Sequence, residues 1–184
     1  MKRRKFLMTS TALAAFGSDL MAFPSHKTEG DEGFLVKSGE ARFGKHTPFR
    51  GINPNDLKIS SKDTDGQLSV FEYIGVEKTG PALHVHLEQD EVFYVVEGTF
   101  RFQLGEDFYE LVAGDTIFLP RNIAHTWIQT SDRGKLVYFL QPAFKMEEFF
   151  QTMHDLGRAP TEEEAKKISL DHGMKNVGPP LTLK

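Results

Sequence analysis

Between residues 34 and 141 the chain runs in short apolar stretches cut by turn-type residues. The pattern predicts strands over 34–37, 57–60, 68–76, 81–86, 91–97, 99–104, 108–112, 116–119, 125–130 and 136–141. Asp65-Gly66, Glu97-Gly98, Gly105-Glu106-Asp107 and Gly114-Asp115 supply the turns between them. Strands of this length and spacing predict an all-β sandwich or barrel. After Pro142 the period changes. Residues 146–153 suit a short helix. A second follows a capping box from Thr161 to Glu164, with Pro160 ahead of it and Gly173 placed to end it at His172. Val177-Gly178-Pro179-Pro180-Leu181 then reads as an extended tail. The simplest organisation is one β domain over 34–144 with a helical C-terminal appendage over 145–184.

The first residues have a different character. Lys2, Arg3, Arg4 and Lys5 precede a weakly apolar run from Met8 to Phe16, the layout of an export signal over residues 1–23. Arg3-Arg4-x-Phe6-Leu7 resembles the twin-arginine type, which implies a periplasmic protein. Asp19 interrupts the run before it reaches the length of a membrane span, so no stable membrane insertion is expected after export. Cleavage near Ala22 or Phe23 would take the net charge from −4 to −7. With no basic stripe elsewhere, nucleic acid is a poor partner. The chain has no cysteine, which removes disulfides, thiolate metal sites and thiol nucleophiles. Sixteen of its aromatic residues are Phe, beside four Tyr and one Trp. Any chemistry therefore rests on histidine and carboxylate in a Phe-rich setting.

Three of the seven histidines fall in one patterned stretch. His84 and His86 are two apart on a predicted strand, so their imidazoles project from one face. Leu87 to Asp90 suit a connecting turn, and Glu91 opens the next strand, where pairing can bring its carboxylate beside the histidines. His125, at the start of a later strand, offers a fourth ligand. Nitrogen and carboxylate ligands without sulfur suit a divalent first-row metal such as Fe, Mn, Ni, Co or Zn. His154 and His172 read as surface residues, while His26 and His46 have no partner pattern.

These residues resemble the cupins. His84, His86, Glu91 and Gly98 fit the spacing of the first cupin motif; Gly114, Pro120 and His125 fit the second. Lys78 stands where the first motif usually has glycine, Asn122 where the second has a small residue, and Gln129 where asparagine often follows. Asn122 can still adopt the left-handed backbone of a tight turn. The resemblance implies a cupin barrel, a double-stranded β-helix or jelly roll, in which His84, His86, Glu91 and His125 hold one divalent transition metal ion. Strand parity adds that Ala82, Phe93, Val95, Trp127 and Gln129 share the ligands' side and would line a substrate pocket, with Gln129 as a polar handle. Such a lining suits a flat aromatic small molecule. From residue 34 to 181 the chain looks like small single-domain cupins of the quercetin-dioxygenase-like group. That implies a metal-dependent dioxygenase with Glu91 as general base, and a homodimer is a further expectation from the family. A non-catalytic metal- or ligand-binding cupin and a metal-dependent isomerase or lyase are the alternatives.

Overall fold

In the computed structural model, which describes residues 33–183, two five-stranded antiparallel sheets face one another. The expected export segment and His26 lie outside the described residues. In chain order the strands are β1 (Asn55–Ile59), β2 (Ser69–Gly75), β3 (Ala82–His86), β4 (Asp90–Glu97), β5 (Thr99–Leu104), β6 (Asp107–Val112), β7 (Thr116–Leu119), β8 (His125–Gln129) and β9 (Gly134–Gln141). Helices α1 (Met146–Asp155) and α2 (Glu162–Asp171) follow, and β10 (Met174–Pro180) ends the fold. The sheet orders are β1-β2-β9-β4-β7 and β10-β3-β8-β5-β6. Apart from the β1–β2 and β5–β6 pairs, consecutive strands thus lie in opposite sheets, as in a jelly roll.

The inner faces follow the alternation predicted from sequence. Phe71, Tyr73, Phe93, Val95, Leu136, Tyr138 and Leu140 project from the first sheet to meet Phe100, Phe102 and Trp127 of the second. The rings pack in order: Phe71 stacks on Tyr138 at 5.2 Å, and Tyr138 on Phe93 at 4.9 Å. Trp127 crosses Tyr73 edge-on at 5.0 Å. Much of the aromatic excess is therefore a connected core, which favours offset and edge-to-face geometry. Gly98 turns β4 into β5 with φ +82°, and a Cβ there would strike the Arg133 carbonyl, so the turn requires glycine.

Two segments differ from expectation. Residues 34–37 form no strand: Leu35 is 80% exposed, and Lys58 Nζ takes the Lys37 and Glu40 carbonyls, at 3.3 and 2.6 Å. The run is apolar, but no neighbouring strand pairs with it. The tail, in contrast, is more than extended. It forms β10, antiparallel to β3, with Met174 opposite His86 and Asn176 opposite His84. As an edge strand it tolerates Pro179 and Pro180, whose missing N–H groups a central strand would need.

The helices carry β10 back to the sheet. Met146 and Phe150 bury themselves on the barrel, Phe150 edge-on to Phe71 at 5.1 Å. The expected capping box is present on α2: Thr161 Oγ1 accepts from the Glu164 N–H, and Glu164 Oε2 accepts from the Thr161 N–H. Arg158 also donates to Glu164, whose carboxyl is held down at about 2 by that partner. Gly173, at φ +77°, then reverses the chain into β10. His172 is half-buried rather than a surface residue, its ring edge-on to Phe149 at 5.9 Å. Phe150→Ala removes the main apolar anchor of α1 and should cost about 3–5 kcal/mol of unfolding free energy. Urea denaturation of the two proteins measures it; a loss below about 1 kcal/mol would show that α1 is not docked through this ring.

Candidate metal centre

Three strands from both sheets meet at one point. β3 presents His84 and His86, β8 presents His125 opposite His84 in register, and β4 presents Glu91. One potential ligand atom from each of the four residues lies within 4.8 Å of all the others, and all four side chains are buried. His84 Nε2 and His86 Nε2 are 3.2 Å apart. Glu91 Oε2 lies 3.3 Å from His125 Nε2 and 3.7 Å from His86 Nε2.

The outer nitrogens show which way each ring is wired. His84 Nδ1 lies 2.8 Å from the Ala82 carbonyl, His125 Nδ1 3.0 Å from the Ile123 carbonyl, and His86 Nδ1 3.1 Å from Gln89 Oε1. Carbonyl oxygens only accept, so each Nδ1 carries the proton and donates it outward. A neutral ring wired this way presents a bare lone pair at Nε2. Burial, together with the neighbouring His125, pushes His84 and His86 down to about 3, which keeps both rings neutral. The 3.2 Å contact between their Nε2 atoms is then lone pair against lone pair. His125 Nε2 is likewise buried without a hydrogen-bond partner. Each feature would be costly unless a cation sat among the nitrogens. Two nitrogens each about 2.1 Å from one ion and at right angles are about 3.0 Å apart, close to the spacing between His84 and His86. The residues therefore fit a divalent transition metal, with Nε2 as the ligating atom of each histidine and the Nδ1 partners as outer support.

Two further contacts assemble the centre. Asp90, the residue before Glu91, accepts from Arg121 Nε at 3.0 Å, Arg121 Nη2 at 2.8 Å and the Arg121 N–H at 2.9 Å. These bonds hold the Asp90 carboxyl at about 2 and clamp the start of β4 to the loop that presents His125. Asn122 turns that loop at φ 65° and donates its N–H to the His86 carbonyl. Neither Asp90 nor Arg121 was singled out from sequence, though opposite charges flank two expected ligands. Gln89 had no sequence signal: its amide bridges His86 to the carbonyls of Pro142 and Ala143, more than fifty residues away.

The expected pocket residues have mixed positions. Phe93, Val95 and Trp127 do face inward, but they belong to the packed core. Ala82 is half-buried, and its carbonyl orients His84. Gln129 is not a free polar handle. Four residues along β8 from His125, it donates to the Gly75 and Ser131 carbonyls at 3.3 and 2.9 Å. A side chain at Gly75 or Gly134 would strike its amide, so those glycines make room for a structural plug. His46, which had no partner pattern, pairs with Asp56 at 2.8 Å.

The depressed histidines make the metal-free protein sensitive to acid. In the unfolded chain each takes a proton near pH 6.5, while in the folded chain each resists protonation down to about pH 3. Stability is thus complete above pH 6.5 and falls through this window as pH drops. Each histidine should contribute about 1.4 kcal/mol per pH unit. Thermal unfolding of metal-free wild type and His84→Gln between pH 7 and 5 should show a shallower slope in the variant. Equal slopes would contradict this wiring.

Comparison with known proteins agrees with this geometry. The chain is 31% identical over 122 residues to quercetin 2,3-dioxygenase of Bacillus subtilis (strain 168), a match covering 66% of this chain and 35% of that protein. It thus spans about a third of that relative's length. It is 29% identical over 124 residues to Protein SchB of Streptomyces halstedii, covering 62% of this chain and 85% of the other. Among solved structures, an RmlC-like cupin from Shewanella frigidimarina NCIMB 400 superposes with TM-score 0.52 and 22% identity, over 64% of this chain and 96% of that one. KdgF from Halomonas sp. superposes with TM-score 0.50 and 14% identity, over 60% and 94%. The fold is that of the cupins, and residues 71–140, which contain the three histidines and Glu91, match the family described as Cupin domain.

Proposed function

We propose that this protein is a metal-dependent dioxygenase acting on an aromatic or enolisable hydroxylated small molecule. The observation that carries the reading is the buried convergence of three Nε2 atoms and the Glu91 carboxyl group. Similarity to a quercetin 2,3-dioxygenase supports the choice of reaction class. A divalent ion held by these four residues supplies Lewis acidity and open coordination positions. The chain's own contribution is position and proton handling. Backbone carbonyls and Gln89 hold the three rings so that none must reorient when a substrate arrives. Glu91 Oε2 stands beside the histidine nitrogens, where it can accept the proton of a substrate hydroxyl. Phe93 and Trp127 pack behind the centre and exclude water from that side.

A second reading, a non-catalytic metal- or ligand-binding protein, is favoured by the filled interior: Phe71, Tyr138 and Phe93 stack there as part of the packed core. The proposal extends to location. The twin-arginine-like start supports export to the periplasm, and recovery from a periplasmic extract with a new N-terminus near Ala22 or Phe23 would test it.

Oxygen uptake separates the two readings. Protein loaded with Fe, Mn, Ni or Co and given a panel of flavonols and other enolisable aromatics should consume dioxygen in step with substrate loss. Stoichiometric metal without uptake across the panel would contradict the oxygenase and support the binding protein. His86→Ala should lose stoichiometric metal, by elemental analysis of folded protein. Full retention would show that the ligand set is wrong.

A further inference from the structure

Gln89 sits in the turn between the two ligand-bearing strands and is 1% exposed. A buried amide must satisfy two donors and an acceptor. Here the amide's orientation is settled by its neighbours, because the Pro142 and Ala143 carbonyls can only accept. Nε2 therefore faces them, at 3.3 Å from Pro142 O and with a shorter bond to Ala143 O. Oε1 is left facing His86 Nδ1 at 3.1 Å. The other two histidines take their outer partners from backbone carbonyls two residues away in sequence, Ala82 for His84 and Ile123 for His125. His86 alone of the three depends on a side chain, and that side chain is anchored in the corner between β9 and α1.

We infer that Gln89 is the positioning residue of the centre: it fixes the tautomer and ring orientation of His86, and through its anchor at Pro142 and Ala143 it ties that ligand to the corner leading into α1. The inference rests on the metal reading for its consequence and on hydrogen-bond geometry for its cause. Without an acceptor at position 89 the proton of neutral His86 is free to sit on either nitrogen. With the proton on Nε2, the ring presents a donor where a ligand lone pair is needed. Outer partners of this kind typically change metal affinity 10–100-fold.

Two substitutions separate positioning from packing. Gln89→Met keeps a similar volume and removes both the acceptor and the donors. Gln89→Glu keeps an acceptor for His86 and alters the anchor. Nitrogen-15 NMR of the metal-free proteins reads the tautomer directly: wild type and Gln89→Glu should show His86 protonated at Nδ1, and Gln89→Met a mixture. Titration with Co(II), followed calorimetrically and by its visible spectrum, should show Gln89→Met binding 10–100-fold more weakly than wild type. Gln89→Glu, which keeps the acceptor but loses the anchor, should bind more tightly than Gln89→Met and more weakly than wild type, as expected if acceptor and anchor both act. A Gln89→Met protein with wild-type His86 tautomer would overturn the inference, and so would one with wild-type affinity. If wild type itself bound no Co(II), the metal reading would fail, while the NMR comparison would still decide what Gln89 does to His86.

Discussion

Three imidazoles aim their Nε2 atoms at one buried point, beside a carboxylate, and nothing among the described residues answers them with positive charge. The organisation around the point exists to hold that arrangement. His84 and His86 share a face because strand side chains alternate, and His125 meets them because β8 pairs with β3 in the register that sets it opposite His84. Glu91 arrives from the other sheet, so the centre spans the interior and depends on the two sheets staying packed together. The outward Nδ1 bonds remove the alternative tautomers that would let the rings satisfy one another.

The supports are unequal in kind. Backbone carbonyls hold two of the rings, so those rings follow the local fold of their own strands. The third is held through Gln89 from the corner at Pro142 and Ala143, and Asp90 with Arg121 ties the two loops that deliver Glu91 and His125. The aromatic core works on a larger scale. Phe71, Tyr138 and Phe93 stack across three neighbouring strands of one sheet, and Trp127 meets them from the other. Part of the Phe excess is thus scaffold: Phe71, Phe93, Phe100 and Phe102 fill the interior and Phe150 extends it to the C-terminal helices, while Phe34, Phe43, Phe108, Phe118 and Phe144 lie exposed.

The strands between residues 55 and 141 were legible because period-2 alternation and glycine-marked turns are local signals. The grouping of His84 and His86 on one face was local in the same way, but Glu91 joins them from the opposite sheet rather than by strand pairing, and His125 through the β3–β8 register, so those two places depend on how strands and sheets assemble. The α2 capping box is equally local and was found at the expected residues. The features without a local signal depend on distant partners. Residues 34–37 carry strand-like side chains, yet whether a run becomes a strand is decided by a pairing edge, which they lack. β10 contains Gly178, Pro179 and Pro180, which argue against a strand until an edge position is available. Strand parity puts Gln129 on the inner face, but the glycines that receive it lie on β2 and β9, and they turn it into a plug. Gln89 is unremarkable in sequence because its meaning comes from carbonyls contributed by the far end of the domain.

The most direct test of the central claim is metal analysis of protein purified from its native compartment, with K-edge X-ray absorption on the bound element. The account predicts one divalent first-row ion per chain with three imidazole nitrogens and at least one carboxylate oxygen in its shell. Protein with no ion, or with an ion whose shell lacks the three imidazoles, would contradict it.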